Sequence, residues 1–467
     1  MNRSGRIIIL LFVLSLVLYC EKKHGTGKEL ADFSARQLPA PPAWAKNGVM
    51  YQVFPRVFTH EGTFRALQQK LNYIQNLGID VIWMMPIYPI GEKGRKGSLG
   101  SPFSVRDFRS INPEYGTAED FRSLVREIHQ RGMKVIIGMV PNHAANDNVL
   151  MKEHPDWFMR DEQGNFTREV ADWSDISDFN YENPELREYM IQTMLYWLTE
   201  FQIDGFRCDV AGMVPYDFWE EATRRLRAVK PDIYLLAEWE DPKILLAGFT
   251  SDYGWTEYHT LKAIRNGKKR TVDIVNLIAE KDARYPKNAL PMRFLENHDE
   301  QRSLHEFGAA AIEAYATLLF TLPGIPLIYA GQEIGETEKP SLFDKSELSW
   351  QDADQSLVEM YRNLIQLRKQ NACFTEGSFI PLQTASISGS AGAFLREDRK
   401  SVALVVCNLR SKTAEKVIVS MPDSLRKRFF DLRFANFQDA GDSLSFKEIY
   451  FPELDGFTTR VYLAEKK

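Results

Sequence analysis

Short apolar runs rich in β-branched residues recur along the first 330 residues, at 49–54, 80–86, 134–140, 205–210, 233–239, 252–259, 292–299 and 326–333. Stretches with apolar residues at helical spacing lie between them, at 64–77, 118–131, 184–201, 217–229 and 309–322. Gly78 and Gly132 follow the first two, where a helix commonly ends in a left-handed residue. Eight strands, each leading into a helix, predict an α/β fold, a closed (β/α)8 TIM barrel. A doubly wound sheet is the alternative, but no Gly-rich dinucleotide turn follows the first strand. Residues 142–183 are too long for a structureless connection and predict a short inserted subdomain after strand 3. From 374 to 467 the period changes: 401–409, 416–421 and 457–463 are short β-rich runs between turn signals. They predict a C-terminal antiparallel β-sandwich, leaving 44–373 to the barrel.

The first residues read as an address. Arg3 and Arg6 precede a thirteen-residue apolar run, 7–19, and then Cys20. That run is too short to span a bilayer, which takes roughly 20 residues, and fits a signal peptide over 1–20. It resembles a bacterial lipoprotein signal, whose cleavage exposes a cysteine for lipidation, although Leu18 and Tyr19 are larger than that pattern prefers. Residues 21–43, charged and then Pro-rich, read as a tether. The expectation is an exported protein, lipid-anchored and facing the periplasm or cell surface.

Composition narrows the partners. The 467 residues carry 58 Lys and Arg against 63 Asp and Glu, a net charge of −5 without a long run of either sign. A nucleic-acid binder relying on bulk charge is thereby disfavoured. The four cysteines are scattered and lack a histidine at ligand spacing, so no zinc site is expected.

In a barrel of this kind, functional residues sit at the carboxyl ends of the strands. Asn142 and His143 follow strand three, Arg207 and Asp209 sit at strand four, Glu238 at strand five, and His298 and Asp299 at strand seven. So many polar groups around one rim are costly unless paired or used. A guanidinium beside Asp209 favours its ionised form, while Glu238, between Ala237 and Trp239, sits drier and holds its proton. That division of labour suits retaining glycoside hydrolysis, with carboxyls about 5–5.5 Å apart.

Gly205-Phe206-Arg207-Cys208-Asp209, Ala237-Glu238-Trp239, Phe294-Leu295-Glu296-Asn297-His298-Asp299 and Val140-Pro141-Asn142-His143 resemble four signature regions of the α-amylase family of glycoside hydrolases. The run from Tyr51 to Phe58 and the run from Leu322 to Glu333 add to the resemblance, which implies an exported bacterial member. It also implies Asp209 as nucleophile, Glu238 as general acid and base, and Asp299 as stabiliser of the distorted sugar. Arg207 would orient Asp209, and His143 and His298 would bond to that sugar. Phe103 stands where the family has a stacking Tyr.

Two departures stand out. Gly138 replaces an Asp that supports the floor of the site, which puts the orientation of Arg207 in question. Gly212-Met213 replaces a Lys-His pair where starch-cleaving members bind the outgoing glucan. No cofactor is required by this chemistry. Calcium stays open, with Asn142 as its one recognisable ligand. The expected function is retaining cleavage of α-glucosidic bonds in α-glucans or maltooligosaccharides. Alternatives are a transglycosylase of the same family and a non-catalytic surface glucan-binding protein.

Overall fold

The computed structural model describes residues 31–466 except 430–431, 440–441 and 446–448. Cys20 and the 1–20 segment therefore lie outside the described residues. Nine strands build the first half: β1 (Met50–Val53), β2 (Val81–Met84), β3 (Lys134–Met139), β4 (His143–Ala145), β5 (Ile176–Asp178), β6 (Gly205–Cys208), β7 (Tyr234–Ala237), β8 (Met292–Arg293) and β9 (Ile325–Tyr329). Seven pair in parallel in the order β7-β6-β3-β2-β1-β9-β8. Parallel bridges Leu236–Ser251 and Tyr253–Met292 carry the ring from β7 to β8 and complete the barrel. The run at 252–259, expected as a sixth strand, supplies that bridge and then becomes a helix at Trp255–Arg265. The correction has a physical reason. Trp255, Tyr258, Leu261 and Ile264 repeat at helical spacing, and the last three are fully buried.

Barrel strands are buried on both faces, as continuous apolar runs require. The helix Ala118–Gln130 shows how local sequence fixes an end. Thr117 and Asp120 form a capping box, and Phe121, Leu124, Val125 and Ile128 turn one face inward. The segment 64–77 is two helices, Phe64–Gln69 and Leu71–Leu77, meeting at Lys70. Within 142–183, β4 and β5 pair as an antiparallel hairpin beside the mouth.

The second half holds β10 (Ser378–Ala385), β11 (Ala391–Glu397), β12 (Ser401–Asn408), β13 (Ala414–Ser420), β14 (Arg433–Asn436), β15 (Ser443–Ser445), β16 (Ile449–Leu454) and β17 (Thr458–Glu465). They run in one order, β15-β14-β17-β12-β11-β10-β13-β16. Period two divides β12 between two cores. Val402, Leu404 and Val406 join Phe434, Phe451 and Tyr462 in a core internal to the C-terminal strands. Ala403, Val405 and Cys407 face the barrel's own core. The helix Ile312–Thr321 is caught between, with every residue but Glu313 buried. Its last carbonyls receive buried guanidinium groups: Arg396 donates to Thr321 at 2.8 Å and Arg368 to Phe320 and Leu322, each at 3.0 Å. Cations at a helix C-terminus oppose its negative end.

The expected 21–43 tether needs correction in its later part. The Phe33 amide donates to the Arg284 carbonyl at 2.8 Å, the Leu38 amide to Lys287 at 3.0 Å, and Leu38 is buried. From Phe33 onward the chain lies along the 284–288 loop, because its backbone groups and an apolar side chain find partners there.

Candidate active site

β6 and β7 run in register, with Arg207 opposite Leu236 and Cys208 opposite Ala237. The Glu238 amide then donates to the Cys208 carbonyl at 3.0 Å, which sets Glu238 beside Asp209. Alternation sends Arg207 and Asp209 into the mouth and buries Cys208 on the other side of the strand. The Arg207 guanidinium organises the site. Its Nη1 donates to Asp209 Oδ1, its Nη2 pairs with Glu238 Oε1 at 2.8 Å, and its Nε donates to the Tyr253 hydroxyl at 3.0 Å. The rings of Trp83, Phe103 and Tyr253 lie within 5.4, 5.6 and 5.7 Å of it. Burial alone would lower its pKa, but Glu238, Tyr253, Asp209 and Asp299 hold it well above the ordinary value.

Val210 N–H donates to Glu238 Oε2 at 2.8 Å. To aim that amide, Val210 takes φ 37° and ψ 46°, a left-handed conformation costly for a β-branched side chain. Burial raises the Glu238 carboxyl well above its ordinary value; Arg207 opposes the shift, and the charges of Asp209 and Asp299 reinforce it. Glu238 therefore keeps its proton more readily than a free carboxyl.

His298 stacks on Phe103, centroids 5.2 Å apart at 22°. Gln52 Nε2 faces its Nδ1 at 2.8 Å and Asp299 Oδ2 its Nε2 at 3.3 Å. Burial lowers its pKa to about 4, helped by Arg207 and opposed by Asp299 and Asp209. His143 is likewise lowered by burial, against Asp209 and Asp175, and packs on Trp173 at 5.2 Å. Two neutral imidazoles, an aromatic face and three carboxyl groups thus surround a free space of about 70 Å³. All seven residues singled out in the sequence, Asp209, Glu238, Asp299, His143, Arg207, His298 and Phe103, line it or touch one that does.

Both departures have a packing reason. A Cβ on Gly138 would meet Pro86 Cδ at 2.7 Å, so the proline ring occupies the space of the missing side chain. Arg207 is instead fixed by Tyr253 and the three rings. A Cβ on Gly212 would meet the Trp239 indole at 2.0 Å, so that ring lies directly over the glycine. Tyr253, Gln52 and Lys339, which donates to the Asp299 carbonyl, went unrecognised in the sequence. Trp83 is buried in the core and its ring lies under Arg207. Of three further aromatic residues, Trp173 lines the space, while Tyr88 packs against Phe108 and Trp197, and Trp157 stacks on His154.

Asn142, the one calcium-ligand candidate, turns its Nδ2 to His143 Nδ1 at 3.3 Å, and its backbone carbonyl accepts from the Phe179 amide. Among the described residues no group of three or more His, Cys, Asp or Glu could hold a metal ion.

A parallel barrel holding two carboxyls on one buried guanidinium, beside a third carboxylate and an aromatic face, defines a glycoside hydrolase of the retaining class. The chain belongs to the alpha-amylase family: a sequence model of the alpha amylase catalytic domain matches residues 47–353. A maltogenic alpha-amylase AmyB from Thermotoga neapolitana is similar in structure, with TM-score 0.82 and 34% identity over 90% of this chain and 99% of that one. An alpha-amylase from Lactobacillus plantarum follows at TM-score 0.79 and 32% identity, over 91% of this chain and all of that one. Alpha-amylase MalA of Haloarcula japonica is 28% identical over 84% of this chain, which spans 59% of that protein's length.

Tyr253→Phe leaves a buried guanidinium N–H without its partner, a loss of roughly 1–3 kcal/mol. The expected result is a fall of about tenfold or more in kcat/KM on a maltooligosaccharide. A melting temperature measured in parallel separates this from loss of fold, and unchanged kcat/KM would show that Tyr253 does not orient Arg207.

Proposed function

We propose that the protein hydrolyses α-glucosidic bonds of α-glucans or maltooligosaccharides with net retention, using Asp209, Glu238 and Asp299. The observation that carries this reading is one guanidinium bound to both Asp209 and Glu238, while the Glu238 carboxyl is biased towards its protonated form. Carboxyls on two nitrogens of one guanidinium suit the short spacing of a retaining enzyme better than the wider gap that inversion needs.

The steps follow from those positions. Asp209 attacks the anomeric carbon as Glu238 gives its proton to the glycosidic oxygen, so the C–O bond breaks and a β-glycosyl ester forms. Water then enters on the side the leaving group has vacated. Glu238 takes its proton, the ester bond breaks, and the product emerges as the α-anomer with both carboxyls restored. Asp299 and neutral His298 and His143 bond to hydroxyls of the same sugar while Phe103 stacks on its face. Tyr253 supports this reading over a non-catalytic one, because it gives Arg207 the anchor that Gly138 withdraws. The step requires no metal or cofactor.

The expected test is anomeric NMR on maltooligosaccharides: α-product first, with activity lost by at least roughly 10³-fold in Asp209→Asn and Glu238→Gln. An initial β-anomer rejects retention, and new longer oligosaccharides identify a transglycosylase.

The pH dependence has a defined sign. A general acid with a raised pKa stays competent to higher pH, so kcat/KM falls as pH rises through the Glu238 pKa. The alkaline limb is expected well above the ordinary range of about 4–4.5 for glutamate, and a limb inside that range rejects the assignment. Stability carries the same Glu238 contribution below the ordinary pKa and loses it as pH rises through the folded one. His298 acts oppositely: its contribution is complete above 6.5 and lost as pH falls towards about 4.

We also propose export and lipid anchoring through Cys20, supported by the basic and apolar pattern of residues 3–19. Labelling with a radioactive fatty acid in a bacterial host is expected to mark the wild-type chain and not Cys20→Ser. Equal or absent labelling of both rejects the anchor.

A further inference from the structure

We infer that this site accepts its glucan only by the non-reducing end, an inference that rests on the hydrolase reading and concerns which bonds it cuts. Glu238 follows β7, the fifth strand of the barrel, and β1, the first strand, lies diametrically across from it. Glu238 protonates the leaving oxygen, so the leaving part of the chain departs over the fifth strand. The part that becomes attached to Asp209, and everything joined to its non-reducing side, must extend towards the opposite side of the mouth, above β1.

That side is walled. The loop after β2 and the loop after β9 meet over β1. Leu99 and Gly100 amides both donate to the Phe343 carbonyl, at 2.8 and 3.2 Å, and the Ser98 amide and hydroxyl both donate to Asp344 Oδ1 at 2.8 Å. The wall rests on a buried guanidinium. Arg56 is fully buried, pairs with Glu114 at 2.8 Å, and ties the Gly100 and Leu342 carbonyls together at 2.9 and 3.0 Å. Phe343 presses on Gly97, where a Cβ would stand 2.6 Å from the Phe343 Cβ. The two loops are thus in direct contact.

The enclosure continues to the third strand's insertion. Lys96 crosses from the same loop to Asp175 at 3.1 Å and to the Asp172 carbonyl at 2.7 Å, closing the seam beside Trp173. From there Trp173 and Ile176 pack on Val210 and Met213 after the nucleophile. Lys339 joins the last loop to the Asp299 carbonyl on the other flank. Among the described residues, Glu238 is the one from the fifth and sixth strands' loops that borders the free space. The rim is therefore braced wherever the non-reducing side of a chain would need to leave. The free space of about 70 Å³ lies between this wall, at Leu342 and Phe343, and the carboxyls of Asp209, Glu238 and Asp299. Hydrolysis then removes a short saccharide from the non-reducing end and leaves interior bonds uncut.

The test uses two reducing-end-labelled maltoheptaosides, one with a free non-reducing end and one whose terminal 4- and 6-hydroxyls are blocked by an ethylidene group. Products are resolved by chromatography. The native enzyme is expected to shorten the free substrate stepwise from its non-reducing end and to cleave the blocked one at least roughly 100-fold more slowly. In the double variant Ser98→Ala/Asp344→Ala, which removes the side-chain bonds across the wall, that ratio is expected to narrow while turnover of the free substrate persists. Comparable rates on both substrates by the native enzyme overturn the inference and leave the hydrolase reading standing. An unchanged ratio in a folded double variant overturns the role given to the wall. No turnover of either substrate, or of any other α-glucan, overturns the hydrolase reading itself.

Discussion

A guanidinium in the dry mouth of a barrel must be paired, and pairing Arg207 dictates the rest of the site. An isolated buried cation costs several kcal/mol, and one carboxylate in good geometry is the least that offsets it. Here two carboxyls share the cation, with a third close by. Two negative charges held so near each other in a low dielectric cannot both be stable, so one carboxyl is driven towards its protonated form. The environment chooses which. Glu238 lies between apolar neighbours and has one backbone amide as its further partner, whereas Asp209 faces Arg207 head-on. A division between acid and nucleophile is thus a consequence of electrostatics before any substrate arrives. The strained backbone at Val210 belongs to the same arrangement, since its amide fixes the Glu238 oxygen that Arg207 leaves free.

The scaffold meets the corresponding demand on a larger scale. A barrel rim can hold strain and charge only if the layer outside it does not yield. The helix Ile312–Thr321 supplies part of that layer, and it is too apolar to face water. The C-terminal strands cover it, and Arg396 on β11 and Arg368 from the helix Gln355–Gln370 bond its terminal carbonyls. Because β12 divides its side chains between two cores, the C-terminal strands and the barrel share one continuous packing surface. Structural support is the role for which the structure gives a physical reason.

What could be read in the sequence follows the range of each interaction. Arg207 and Asp209 share a strand face through period two, and Glu238 joins them through the in-register neighbour, so short motifs carried them. The barrel followed from repeated runs of one period after another. Tyr253 escaped because residues 252–259 mix aromatic and polar positions that fit a strand and a helix start equally well. Only the helix's burial against Phe294 and neighbouring rings decides between them. The rim contacts escaped for a different reason. Ser98 and Asp344 are 246 positions apart, and neither carries a pattern that points to the other.

The two departures from the family pattern show the same limit from the side of packing. Read singly, Gly138 is a lost carboxylate and Gly212 a lost cation, and each suggests a weakened site. In three dimensions each glycine lies beneath a ring, Pro86 in one case and Trp239 in the other, at distances that no Cβ could share. Close-packed interiors admit either the side chain or the ring, never both. The meaningful unit of change is therefore the pair, with the glycine as the consequence of where the ring sits. For Gly138 the exchange replaces a charge with an apolar wall. That is tolerable because Arg207 already has two carboxyls and the Tyr253 hydroxyl as partners. Glu238 owes its raised pKa first to burial and then to Asp209 and Asp299, so one carboxylate fewer beneath Arg207 leaves that bias standing.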